Sequence, residues 1–270
     1  MSDGGTVIAF ARRARTVLAV QYAQMVAFRA ELILWALSNS LSFILMGVWY
    51  QATSRADFGL APIDVIRYFL IVFVIRQLTV VWVIWDFEVD VQRGRLAHHL
   101  LAPLDPFWRH LSGHVAERLA RLPFSIGLIV LFFVIYPGAF FIPHSIQALW
   151  FAVLVVGAFL LRFVLQYTLA LMSFWTERAS ALETLMFTFY MFLGGAVAPL
   201  DVFPAALREV VLYTPFPYLV WMPARALTGG IADAELWRGG LVMSVWFIGV
   251  VVVSRVIWRL GLRRFSAMGA

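Results

Sequence analysis

The sequence predicts an all-α integral membrane protein. Six transmembrane helices are joined by an N-terminal interfacial helix, a cytoplasmic docking helix and a proline-broken outer helical hairpin. Three observations predict this. The chain is 63% hydrophobic and 13% charged, with a mean hydropathy of +0.87, whereas soluble domains run nearer half apolar and a quarter charged. Six apolar runs reach the ~20 residues that a helical span needs. Finally, residues 194–230 lie between two of these runs yet carry Pro199, Pro204, Pro215, Pro217 and Pro223. That stretch is too broken and too charged to span, and too apolar for a solvated loop. Irregular backbone facing lipid leaves N–H and C=O groups unpaired, so it is expected at an interface or dipping in under protein cover. The whole chain, 1–270, reads as one membrane domain.

In chain order, residues 1–28 come first. Arg12, Arg13 and Arg15 interrupt the apolar residues, so this is no cleavable signal peptide. An interfacial helix over about 6–26 fits better, with arginines toward headgroups. The spans are expected at about 30–50, 63–85, 122–142, 146–172, 181–199 and 239–260, the fourth long enough to tilt or protrude. Fourteen arginines fall on one side, in the N-terminus, the second loop, the fourth loop and the tail. Five fall on the other: Arg55, Arg67, Arg208, Arg225 and Arg238. The positive-inside rule then puts both termini in the cytoplasm and residues 199–230, an outer re-entrant hairpin, on the far side. No internal repeat or low-complexity tract is visible.

The cytoplasmic loop 86–121 opens with Asp86, Glu88 and Asp90, continues through Arg93, Gly94 and Arg95, and reaches an apolar patch of Leu96, Leu100 and Leu101 before Pro103 and Pro106. A compact helix with an apolar face and charged flanks suits a groove on a cytoplasmic partner. It equally suits a surface helix lying on headgroups. The loop also holds His98, His99, His110 and His114. His110 and His114 share a helix face at i, i+4, but Leu111 stands where a metalloprotease has Glu and no further ligand is in register. No metal site is expected, and these histidines read as solvated near headgroups.

Arg76 and Arg162 fall inside spans two and four. A charge at that depth costs at least ~2.5 kcal/mol and therefore faces protein or water. Both read first as anchors between helices; the functional alternative is a pathway contact to an anionic cargo group. Thr176, Glu177 and Arg178 make a tight turn that Glu183 caps or reaches. In the outer segment, Pro204 opens a short helix with Phe203 and Leu207 on its apolar side, and a second short helix follows Pro217 or Pro223. The segment is either a cover over helix ends or an outer gate built from Pro199, Phe203, Pro204, Leu207, Pro215 and Pro217. Trp, Phe and Tyr at span ends form the interfacial belt.

Several functions are excluded. Without cysteine there is no disulfide framework, thiol chemistry or Cys-ligated metal. All 21 basic residues are arginine, so the chain carries neither a Schiff-base lysine nor a Walker A loop, and ATP, if used, is hydrolysed by another chain. The charge of +6 flanks apolar runs and is no nucleic-acid signature. An intramembrane enzyme would need a Ser/His or paired-carboxylate constellation at a shared depth. An ion-coupled secondary transporter would need buried Asp or Glu. Neither pattern is present, and these two stand as the rival classes.

The layout resembles ABC-2 type exporter permeases. VWVIWDFEVDVQRGRLAHHLLAPLDP and the stretch from FWTERASALETL through TPFPYLVWMPARALTGG are similar to the DUF990 branch. The resemblance covers nearly the whole chain and implies a type V exporter-like fold. It also implies two permease subunits, identical or related, lining a pathway with spans one, two and five. Two copies of a separate ABC ATPase would bind below, carrying the ATP and Mg. Residues Asp90–Leu101 would be the coupling helix, and Pro199–Pro223 would close the exit. The location implied is a bacterial cytoplasmic (inner) membrane. The cargo implied is hydrophobic or amphipathic, such as a lipid, glycolipid or drug, moved outward by alternating access. No cofactor is implied in this chain and no nucleic-acid partner.

Overall fold

A computed structural model describes residues 41–268, together with helical positions 16, 19, 20, 22 and 23. The expected interfacial helix and the first half of span one therefore lie outside the described residues, apart from those five positions. Among the described residues the elements are α1 (Leu41–Arg55), α2 (Pro62–Thr79), α3 (Val83–Gln92), α4 (Arg95–Leu101), α5 (Pro106–Ile135), α6 (Ser145–Ala170), α7 (Ser180–Leu193), α8 (Ala205–Val211), α9 (Trp221–Thr228) and α10 (Asp233–Met268).

Among the described residues, four helical runs are long and apolar enough to cross a membrane: Pro62–Gln92, Pro106–Ile135, Ser145–Phe174 and Asp233–Phe265. The fifth expected span is shorter. α7 is fourteen residues long and ends at Leu193, because Gly194 and Gly195 turn the chain into the proline-rich segment. Helix starts follow local chemistry. Pro62 and Pro106 occupy first-turn positions, where a missing N–H costs nothing, and the Asp105 side chain caps α5 by accepting from Phe107 N at 2.8 Å. Gln147 accepts from His144 N at 3.0 Å at the start of α6.

α2 is the central helix. Its apolar window is 78% buried within the chain, against 11% for α10. α10 instead exposes Leu241, Val245, Ile248 and Val252, and α5 exposes Ile126, Val130 and Val134. Contiguous apolar faces of this kind suit lipid or another apolar helix rather than water. Two cores result. One gathers α2, the upper half of α6 and the proline-rich segment around Phe69, Leu154, Tyr190 and Trp221. The other gathers α3, Leu96 of α4 and the rest of α6 around Phe87, Phe163 and Phe174.

Expected span two is not one helix. Val80, Val81 and Trp82 are non-helical between α2 and α3. Such a break frees carbonyls that need new donors. Arg118 of α5 supplies one, its Nε donating to Leu78 O at 3.2 Å.

The proline-rich segment packs as a cap on the end of the bundle opposite α4. Tyr68 Oη donates to Gly195 O at 2.6 Å, and Trp49 Nε1 donates to Val197 O at 2.8 Å. Gly195 has φ +84°, and a Cβ there would lie 2.7 Å from Tyr68 Oη and 2.8 Å from Trp221 Cβ. Gly195→Ala is therefore expected to lower stability by ~2 kcal/mol or more, combining left-handed strain with overpacking. Gly59→Ala, at φ +72° in open space, incurs the strain alone. Thermal melts in detergent compare the two; equal losses would mean the contacts around Gly195 give way.

Candidate functional site

The loop between α3 and α5 is built around one carboxylate. Asp90, near the end of α3, is buried. Its Oδ2 accepts from Arg109 at 2.7 Å and its Oδ1 lies 3.1 Å from Arg95 Nε. His99 and His110 stand 3.4 and 3.6 Å away. Burial and the adjacent Arg109 guanidinium hold the His99 imidazole below its ordinary value, so at neutral pH the two arginines meet the charge of Asp90. Gly94, at φ +67°, turns the chain between α3 and α4. α4 is thereby fixed at its base, with Leu96 fully buried, while Leu100 is 38% and Leu101 87% exposed. Arg93, Gly94 and Arg95 are exposed beside them.

The structure thus divides the expected docking set. Arg93, Gly94, Arg95, Leu100 and Leu101 form the outward tip. Asp90 and Leu96 face inward and position it, and Asp90 belongs to α3, not to the short helix. His110 and His114 are also corrected: both are buried, not solvated. The aromatic rings of Phe87 and Phe163 pack on them. Among the described residues no three potential metal ligands come together.

Two features escaped sequence reasoning. Glu88 reaches across to the start of α7, where its carboxylate accepts from Ser180 N at 2.6 Å and from Ser180 Oγ at 3.1 Å. An anion at a helix N-terminus is a favourable cap, and this one ties α3 to α7. The second is a buried ladder on α5, where Glu117 pairs with Arg118 and Arg121 and lies 3.5 Å from His114. The i, i+4 spacing of Glu117 and Arg121 was the available signal.

Arg76 and Arg162 come together. With Val80, Trp82, Trp85, Glu183 and Tyr190 they line one cavity of about 330 Å³ between α2, α3, α6 and α7. The Arg162 guanidinium lies 4.2 Å over the Tyr190 ring. Glu183 is buried and accepts from Gln166 Nε2 at 2.6 Å, so it does not serve the Thr176–Arg178 turn as expected. Arg162 Nε, Glu183 Oε2 and Tyr190 Oη have no hydrogen-bond partner among the described residues.

At the opposite end, Asp201 holds Arg225 at 3.3 Å and Trp221 Nε1 at 2.9 Å, and Arg208 lies over the Trp221 ring. Pro199, Pro215 and Pro217 are buried within this cap, Phe203 is half-buried, and Pro204 and Leu207 are exposed.

A family model described as ABC-2 family transporter protein matches residues 33–269. The chain belongs to this ABC-2 family. It is a multi-pass membrane protein of the transport-permease kind, and members of the family generally work with an ABC ATPase. No curated protein and no solved structure matches the chain.

Proposed function

We propose that this chain is the permease subunit of an ATP-driven exporter that moves a hydrophobic or amphipathic cargo outward across a bacterial cytoplasmic membrane. ATP is hydrolysed by two copies of a separate ABC ATPase, and a second permease, the same chain or a related one, completes the pathway. Six spans and cytoplasmic termini follow from the apolar runs and the arginine distribution.

The observation that carries this reading is the tip of α4. An 87% exposed leucine at the end of a helix locked at its base by a buried ion cluster is a contact waiting for a groove. Movement of α4 has a short route inward. Asp90 fixes α4 to α3, the Glu88–Ser180 clamp fixes α3 to α7, and α7 contributes Glu183 and Tyr190 to the intramembrane cavity. ATP-driven closure of the ATPase pair can shift the permease only by differential contact with its two states, and α4 is the element placed to make it. The cap over residues 194–230 serves as the outer gate.

Pull-down of the tagged chain from its native membrane tests the reading. A co-purifying ATPase with vanadate-sensitive activity supports it; purification alone, under mild extraction, moves weight to the secondary-transporter and enzyme classes. Leu101→Asp is expected to weaken ATPase association by at least about tenfold, since burial of a leucine contributes ~1.5–3 kcal/mol. Its exposure predicts a stability change within about 0.5 kcal/mol.

A further inference from the structure

The cavity between α2, α3, α6 and α7 holds a charge imbalance. Arg76 lies midway along the Pro62–Gln92 run, and Arg162 is mid-helix in Ser145–Phe174. Guanidinium groups are retained at such depth only with counter-charge, hydrogen bonds or water. Glu183 is the carboxylate lining the cavity, and neither arginine makes an ion pair with it within 4 Å. Instead Glu183 takes its hydrogen bond from Gln166.

Arg162 is 4% exposed and its Nε has no hydrogen-bond partner among the described residues. Tyr190, 1% exposed, presents an unpartnered hydroxyl to the same space. Among the described residues, two guanidinium groups against one carboxylate leave a net positive site lined with buried donors. The non-helical backbone at Val80–Trp82 forms one wall, and irregular backbone at membrane depth is tolerated where it lines a cavity. Trp85 and Phe187 form an apolar rim, and both are exposed.

We infer that this cavity binds the anionic oxo group, phosphate or carboxylate, of an amphiphile whose apolar part leaves past Trp85 and Phe187. A planar guanidinium favours such oxyanions. The cavity volume suits a headgroup rather than a whole lipid, so the tail remains in the bilayer. The inference rests on the permease reading, because it names the cargo class that the pathway accepts.

Equilibrium binding of dodecyl phosphate to the purified full-length chain, without its ATPase, tests it. The wild type is expected to bind dodecyl phosphate in preference to both dodecyl maltoside and inorganic phosphate. Arg162→Gln is expected to weaken dodecyl phosphate binding by at least about tenfold. Glu183→Gln removes the competing negative charge and is expected to strengthen binding. The two variants move in opposite directions, so a general loss of folding cannot imitate the result. Unchanged binding in Arg162→Gln, weaker binding in Glu183→Gln, or inorganic phosphate bound as tightly as the amphiphile would each overturn the inference. Since no ATPase is present, failure here leaves the permease reading standing, whereas loss of ATPase co-purification leaves this site standing.

Discussion

Glu117→Leu is expected to be the most destabilising single change in the chain, at about 3–5 kcal/mol. The carboxylate is buried, its Oε1 paired with Arg121 Nη2 and its Oε2 3.5 Å from Arg118 Nη1. Both arginines are themselves buried, so removal of Glu117 takes the carboxylate counter-charge from two cations that water reaches poorly. Breaking a buried pair costs far more than replacing it entirely by apolar groups of similar volume. Arg118 also donates to Leu78 O, at the break after α2, and to His114 O, and it stacks 4.6 Å over Phe159. If it shifts toward headgroups, the freed Leu78 carbonyl loses its donor. Glu117→Gln should fall between wild type and Leu, since an amide still accepts from Arg121. The double variant Glu117→Leu/Arg121→Leu should recover part of the loss. Melting temperatures in detergent rank the series. A loss of under about 0.5 kcal/mol for Glu117→Leu would mean that both arginines reach water.

Hydropathy made the long helices legible, because a twenty-residue apolar run has one stable fate in a membrane. Proline made residues 199–223 legible as broken backbone: Pro204 caps α8, and Pro215 and Pro217 shape the turn before α9. The break at Val80–Trp82 left no such mark. It contains neither proline nor glycine, and its support comes from Arg118, forty residues away. Sequence alone therefore predicts span two as continuous.

The site was legible in its residues but not in their geometry. Arg76 and Arg162 stand out in apolar runs, yet sequence does not give the rotation of α2 against α6, which is what aims both at one cavity. Sequence alone assigns Glu183 to the turn because it lies three positions into α7. In the fold it is buried and takes a hydrogen bond from Gln166 across on α6. His110 and His114 looked like headgroup histidines until α3 and α6 covered them with Phe87 and Phe163. Each of these errors concerns contacts between helices, which periodicity along one helix does not encode. Glu88 and Asp90 share this property: two residues apart on α3, one clamps α7 and the other anchors α4.

Asp90→Ala is the change expected to separate coupling from folding. The cost in stability should be smaller than at Glu117, about 2 kcal/mol. Arg95 is half-exposed, so its pair with Asp90 is screened and adds little. Most of the loss comes from the 2.7 Å bond to Arg109, which ties α3 to α5 beside the base of α4. Without the Asp90 carboxylate, α4 loses its Arg95 and His99 contacts and is left with the burial of Leu96, so that short helix should open locally without global unfolding. Hydrogen exchange should therefore rise at Arg95–Leu101 while α6 remains protected. ATPase association should fall, because an anchored tip binds without the ordering cost that a mobile one incurs. Asp90→Asn retains an acceptor for Arg109 and should lie between the two. If exchange at α4 stayed at the wild-type level in Asp90→Ala, Leu96 would be sufficient to hold the helix. The ion cluster would then contribute to the fold of α5 rather than to the docking tip.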